Sequence, residues 1–314
     1  MTSKFAKFIV AITTIFLTFA GVTQLASRWI EGRIPRDGAV LTIDGTDMHY
    51  LDRGQGRPIV LIHGLSGQMR NFATGLVDQL AANHRVVLID RPGSGYSAPL
   101  ADGTNTLAGQ AEVIAGLIET LDLDAPLIVG HSLGGAVALT LALDHPDAVG
   151  ALALIAPASQ PSDATSSASS AMSIQSDTLR RFVSLTFATP LGMLIFDGSA
   201  KSVFAPESMP EDFGTIGGSL LSIRPHSYFS AGGDMVAARA ALPTMVASYP
   251  SLQMPVAILF GRADQVLDPA IHGTLLRDAV TGATLTQIEG GHMIVFTAPD
   301  AVAGWILDQA ARQD

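Results

Sequence analysis

Gly130-His131-Ser132-Leu133-Gly134 lies between the apolar run Pro126-Leu127-Ile128-Val129 and a small, apolar stretch at 135–143. A serine hydroxyl in that setting can act as a nucleophile. A sharp strand-to-helix turn lifts it above a sheet, and the flanking glycines let neighbouring backbone pass close by. The helix that follows aims its first N–H groups at charge developing on an attacked carbonyl oxygen. A free serine hydroxyl is a poor nucleophile at neutral pH, so a base within hydrogen-bond reach is needed, and an acid to orient that base.

Two later segments supply these groups. Phe260-Gly261-Arg262-Ala263-Asp264 puts a carboxylate just after an apolar run, and Glu289-Gly290-Gly291-His292 does the same for an imidazole. The chain order Ser132, Asp264, His292 is that of a nucleophile-elbow hydrolase. The rival carboxylate, Asp268, precedes Pro269 and reads as a helix N-cap. His49, His84, His145, His226 and His272 have no comparable context. An oxyanion needs two donors: the amide of Leu133 and, from the loop after Pro58–Ile62, the amide of Leu65. In that loop His63 is expected to brace the turn, and His131 to pack beside the elbow. Leu65, Ser66 and Met293 are expected to line the substrate space. Asp90-Arg91-Pro92-Gly93-Ser94-Gly95-Tyr96-Ser97 is glycine-rich, but its spacing matches neither G-x-G-x-x-G nor a P-loop, and it reads as a structural turn buttressing the site. This chemistry calls for no metal and no organic cofactor.

These residues need a frame that brings strand ends together. Apolar runs at 58–62, 86–89, 127–129, 151–155, 256–260 and 284–288 alternate with helical spacings, such as Phe72, Leu76, Leu80 and Leu107, Ala111, Ile114, Leu117, Ile118, Leu121. Alternating buried strands and helices mean a mostly parallel sheet covered on both faces. Asp44-Gly45 between 39–43 and 48–51 signals a hairpin. The rhythm breaks at 158–248: a Ser/Ala-rich stretch at 158–173 precedes helix-like fragments interrupted by Pro190, Pro206, Pro210, Pro225 and Pro243, carrying Leu179, Phe182, Leu185, Phe187, Leu191, Leu194 and Phe196. The expected organisation is an N-terminal segment (1–27), a linker (28–38), a core in two parts (39–157 and 249–314) and an inserted helical cap (158–248).

The chain has 314 residues, 48% hydrophobic and 15% charged, a net charge of −10 and no cysteine. Such a composition is globular; it disfavours nucleic-acid binding and excludes disulfides, thiolate metal sites and a cysteine nucleophile. Lys4 and Lys7 precede an uncharged, largely apolar stretch at 8–27. A helix of about 20 residues spans about 30 Å of hydrocarbon. Positive charge before it places the N-terminus inside and the rest of the chain outside the cytoplasm. A retained membrane anchor is expected. Signal cleavage after Thr18-Phe19-Ala20, giving a secreted protein, and a buried core helix are the alternatives.

Together, His63-Gly64, the Asp90–Ser97 loop, Gly130-His131-Ser132-Leu133-Gly134, Gly261-Arg262-Ala263-Asp264 and Gly291-His292 give a chain that resembles the α/β-hydrolase superfamily over roughly residues 40–311. The resemblance implies a central, mostly parallel sheet of about eight strands with a helical cap inserted between the strands near Ile155 and Val256. It also implies a Ser132–His292–Asp264 triad. Members with an aspartate nucleophile are disfavoured, since position 132 is serine. Esterases, carbon–carbon bond hydrolases, acyltransferases and cofactor-free haloperoxidases use the same triad, and these motifs do not separate them. Cleavage of a lipophilic carboxylic ester is the leading expectation. A non-catalytic scaffold subunit of a membrane complex is the alternative of another class.

Overall fold

The computed structural model describes residues 2–72, 74–161 and 174–313; the Ser/Ala-rich stretch expected to open the cap lies largely outside them. Eight strands form one sheet in the order β1-β2-β4-β3-β5-β6-β7-β8. β1 (Ala39–Ile43) and β2 (Thr46–Arg53) form an antiparallel hairpin. Its two-residue turn, Asp44-Gly45, has both φ angles positive, the conformation that matches strand twist and suits Asp-Gly. β2 pairs antiparallel with β4 (Arg85–Ile89). β3 (Pro58–Ile62), β4, β5 (Leu127–His131), β6 (Ala151–Ile155), β7 (Val256–Gly261) and β8 (Thr284–Ile288) run parallel.

The apolar runs are continuous because β3, β5, β6 and β7 are buried on both faces. Alternate residues feed two cores. Val60, Ile62, Val87 and Ile89 pack with α3 (Leu107–Thr120) and α4 (Leu133–Asp144). Ile59, Leu61, Val86 and Leu88 pack with α2 (Thr74–Ala81) and α10 (Pro299–Ala311). α4 is buried from Leu133 to Ala142, which explains why its sequence is apolar on every side.

Between β6 and β7 come α5 (Asp177–Val183), a π-helical turn (Ser184–Ala188), α6 (Thr189–Phe204) and α7 (Pro225–Ser248). Pro206 and Pro210 lie between α6 and α7, as expected of interruptions; the other prolines of this region act otherwise. Pro225 stands in the first turn of α7, where a missing N–H costs nothing; Pro190 follows directly on the π-helical turn within one unbroken helical run from Asp177 to Phe204, and α7 continues through Pro243. That helix survives because Ala238, Leu242 and Met245 are packed into the first core. After β7 the chain forms α8 (Leu275–Ala279), and after β8 the short α9 (Ile294–Thr297).

α1 (Thr2–Arg33) corrects the expected linker at 28–38, because the helix continues to Arg33 and the segment is clamped. Ile30 and Ile34 are fully buried against Leu221, and Glu31 pairs with Arg224 at 2.7 Å. Beyond the helix, Arg70 bonds the Pro35 carbonyl (2.6 Å) and the Asp37 carboxylate (2.9 Å). Polar composition suggested a spacer; Glu31 and Asp37 instead find partners on the cap and core.

Candidate active site

The turn from β5 into α4 takes place in one residue. Ser132 has φ +55° and ψ −121°, a strained conformation for a residue with a side chain. Its N–H bonds the Ile155 carbonyl (3.0 Å), and its carbonyl accepts from Gly135 and Ala158 (both 2.9 Å). A β-carbon on Gly130 would press on the Gly134 carbonyl, and one on Gly134 on the carbonyls of Ile62 and His63. Close backbone approach demands both glycines, as expected from the pentapeptide. Leu133 is the first residue of α4, so its amide has no acceptor within the helix.

The loop after β3 stands directly over this serine. A β-carbon on Gly64 would lie 3.0 Å from the Ser132 β-carbon and 3.4 Å from its hydroxyl oxygen. The Gly64 carbonyl accepts from His63 Nδ1 (2.8 Å), Arg91 Nη2 (3.0 Å) and Gly67 N (3.2 Å). In a trans peptide the N–H points opposite to the C=O. The Leu65 amide therefore faces away from Arg91. His63 donates from Nδ1 and accepts the Arg91 amide at Nε2 (3.0 Å), so both ring nitrogens serve the loop. Burial, then the Arg91 charge, pushes its pKa down to about 3, which keeps the ring neutral. Ser66 has φ +50°, and Leu65 packs at the edge of the first core.

Asp264 and His292 come together from the ends of β7 and β8, with Nδ1 to Oδ2 at 2.8 Å and both side chains buried. The other carboxylate oxygen accepts from the amides of Val266 (2.8 Å) and Leu267 (3.0 Å). Burial alone would raise this carboxyl. The His292 bond and charge, with the two amides, outweigh it and hold Asp264 below the ordinary carboxylate value. An ionised carboxylate only accepts, so Nδ1 carries the proton and Nε2 is left as the basic nitrogen. The His292 ring packs on His131, the residue preceding Ser132, with centroids 5.0 Å apart. His131 Nε2 donates to the His292 carbonyl (3.1 Å). Burial first, and then His292, lowers the His131 pKa to about 3, so it is not a base near neutrality. Asp268 caps the turn at Pro269–Thr274 by accepting from Ala270 (2.8 Å), as expected of the rival carboxylate.

A model of the alpha/beta hydrolase fold matches residues 57–299. The chain belongs to this family. It is 41% identical over 116 residues to the dihydrolipoyllysine-residue acetyltransferase component of the acetoin cleaving system of Cupriavidus necator, covering 37% of this chain and 30% of that protein. It is 28% identical over 273 residues to the magnesium-chelatase 30 kDa subunit of Rhodobacter capsulatus, covering 83% of this chain and 90% of that one. Among solved structures, the enol-lactonase of Burkholderia xenovorans LB400 superposes with a TM-score of 0.71 at 22% identity, over 87% of this chain and 100% of that one.

Several contacts of this hydrolase-fold site carried no sequence signal. Glu207, just beyond α6, accepts the Gly291 N–H at 2.7 Å, and its other carboxylate oxygen is buried without a hydrogen-bond partner. Arg91 is fully buried and pairs with Asp234 of α7 at 2.9 Å, also bonding Gln110 (2.7 Å) and the His63 carbonyl (3.0 Å). Gln68 and Asn71 reach the Gly217 carbonyl (2.5 and 2.8 Å), tying the cap to the loop over Ser132. His49 makes a second buried His–Asp pair, Nδ1 to Asp90 Oδ2 at 2.7 Å. Its Nε2 meets the Asp37 carbonyl, while Asp90 accepts from Met69 and Tyr96 (both 2.8 Å). With both ring nitrogens engaged it braces the Asp90–Ser97 turn, as expected of that loop. Met293, expected at the substrate space, is 5% exposed and belongs to the second core. The helical turn at Ile294–Thr297 directs it inward against the sheet.

Proposed function

We propose that this chain is a serine hydrolase that cleaves a lipophilic carboxylic ester through an acyl-enzyme. The observation that carries the reading is the His292–Asp264 pair packed through His131 against the strained Ser132 elbow. In this reading the Ser132 hydroxyl attacks the carbonyl carbon as His292 Nε2 takes its proton. Asp264 holds the tautomer and stabilises the imidazolium. The amides of Leu133 and Leu65 stabilise the tetrahedral oxyanion, each contributing about 3–4 kcal/mol. Collapse expels the alcohol, which leaves with the proton from His292, and water repeats the cycle to release the acid and restore Ser132. Leu65 and Ser66 border the substrate. The cap, tied to the loop after β3 through Gln68 and Asn71, limits substrate size.

α1 serves as a retained membrane anchor in this proposal, with the hydrolase domain outside the cytoplasm. The uncharged stretch after Lys4 and Lys7 supports it. A signal cleaved to release a secreted enzyme is the competing reading, and a mature N-terminus between positions 21 and 28 would establish it.

Hydrolysis of p-nitrophenyl esters of increasing acyl length, wild type beside Ser132→Ala, tests the assignment. The wild type is expected to turn over medium or long acyl chains better than acetyl, and the variant to lose turnover while keeping its fold. Equal rates in both proteins would overturn the nucleophile. Two further readings rest on particular relatives. The similarity to an acetyltransferase component favours acyl transfer at the same residues, carbon–carbon cleavage being the other chemistry open to that triad; either would be supported by turnover of such substrates without ester hydrolysis. The similarity to a chelatase subunit favours a role as a scaffold in an assembly, and predicts no turnover of any ester by the wild type.

A further inference from the structure

α1 is bonded to the cap along one face. Phe16 packs on Phe182 and Phe187 (ring centroids 4.9 and 5.9 Å), and Phe19 on Phe187 (4.8 Å). Thr23 donates to the Thr186 carbonyl at 2.6 Å, inside the π-helical turn that displaces that carbonyl from the regular ladder. Only the part of α1 before Phe16 projects clear of the domain. From Lys4 to Ile15 it is about 18 Å long, at about 1.5 Å per residue. A hydrocarbon core is about 30 Å thick. Crossing it requires roughly a further 12 Å of helix, and that stretch is the one carrying Phe16, Phe19 and Thr23. If α1 crosses a bilayer, the cap residues packed on it lie at hydrocarbon depth too.

The cap is built for that depth. Between Arg181 and Asp197 the sequence holds no charged residue. Leu185, Leu191, Leu194 and Ile195 are exposed there, Leu194 to 81%, and Phe182 beside them touches α1. The helical run Asp177–Phe204 is long and apolar enough to cross a membrane by length and composition, but both of its ends are packed on the hydrolase domain. Arg180 lies over the Phe229 ring of α7, and Phe204 is buried against Phe213 and Phe296 in the second core.

We infer that the α5–α6 face of the cap is immersed in the bilayer leaflet nearest the hydrolase domain, alongside α1, so that the protein sits in the membrane and not above it. The inference rests on the anchor reading of α1. Its occupant is a lipid surface: the exposed apolar face is continuous with the lipid-facing side of a helix of membrane-spanning length.

Because the chain has no cysteine, single thiols can report on this directly. Val10→Cys on α1, Leu194→Cys on the cap and Asp124→Cys at the amino edge of the sheet would each be labelled with an environment-sensitive fluorophore in the full-length protein. The proteins would be reconstituted into phosphatidylethanolamine–phosphatidylglycerol vesicles with and without lipids carrying an acyl-chain quencher. Quenching and a blue shift at both Val10 and Leu194, with none at Asp124, is the expected result. Quenching at Val10 but not at Leu194 would overturn the immersed cap and leave the anchor standing. Quenching at neither would overturn the anchor, and this inference with it.

Discussion

His292 is held from three directions, each fixing a different degree of freedom. Asp264 sets the tautomer through Nδ1, His131 holds the main-chain carbonyl, and Glu207 holds the N–H of the preceding glycine. Of these Asp264 was legible in the sequence, because it follows an apolar run at a strand end, while His131 was expected only to pack beside the elbow. Glu207 acts from 84 positions away with no pattern around it. The Asp264 bond makes a sharp prediction under the proposed mechanism. In Asp264→Asn the amide can donate to Nδ1, which moves the ring proton to Nε2 and removes the base that Ser132 needs. The size of the carboxylate is kept, so the fold should persist by circular dichroism. kcat on the best p-nitrophenyl ester should fall by about 10⁴-fold, as tautomer loss does in serine proteases. A loss of less than tenfold would assign the orienting role elsewhere.

At the scale of elements, the strand ends and the cap are joined by buried polar bonds as well as by apolar contact. Arg91 leaves the turn after β4, supports the carbonyls of His63 and Gly64, and ends on Asp234 of α7. Asn105 and Gln110 complete the Asp234 carboxylate at 2.6 and 2.8 Å. Removing one member of a buried pair leaves the other charge uncompensated, which costs about 3–5 kcal/mol. Asp234→Ala should therefore lower the urea midpoint by a corresponding amount, and it should also loosen the Gly64 carbonyl and reduce activity in the surviving folded fraction. Unchanged stability would mean that water or Gln110 replaces the carboxylate. Strands and helices of the core were readable because burial on both faces writes a continuous apolar run, as at Ile59 to Ile62, and the hairpin because Asp44-Gly45 fits one turn type. The cap was readable only as an interruption. Its pairings, such as Arg91 with Asp234 or Gln68 with Gly217, join positions whose separation no local rule encodes, and α7 crosses Pro243 because tertiary packing outweighs propensity.

Across the whole molecule, histidines buried in neutral form should set the acid limit of stability. Burial, reinforced by Arg91, His292 and Arg224 in turn, lowers His63 and His131 to about 3 and His226 to about 4, against 6.5 in an unfolded chain. Between those values the unfolded state binds more protons than the folded one, so stability rises with pH through that window and falls as the solution is acidified below about 6.5. Asp90 and Asp264, both held below their ordinary values although burial opposes this, add a further loss at lower pH. His49 works in the other sense. Burial lowers its pKa, but the Asp90 bond and charge outweigh that and raise it, so its contribution is full below 6.5 and disappears as pH rises through the folded value. Three lowered histidines outweigh His49 and the Asp234 carboxyl, which burial raises, and the net expectation is proton uptake on unfolding between pH 4 and 6.5. Urea unfolding at pH 8, 6.5, 5.5 and 4.5 measures it. His226, whose Nε2 lies 3.3 Å from the Gly95 carbonyl and 3.4 Å from Arg224 Nη2, isolates one member. In His226→Gln the acid slope should shrink by about one proton, or about 1.4 kcal/mol per pH unit, while ester turnover at pH 8 stays near wild type. An unchanged slope would show that His226 charges freely in the fold, and would shift the acid sensitivity onto His63 and His131.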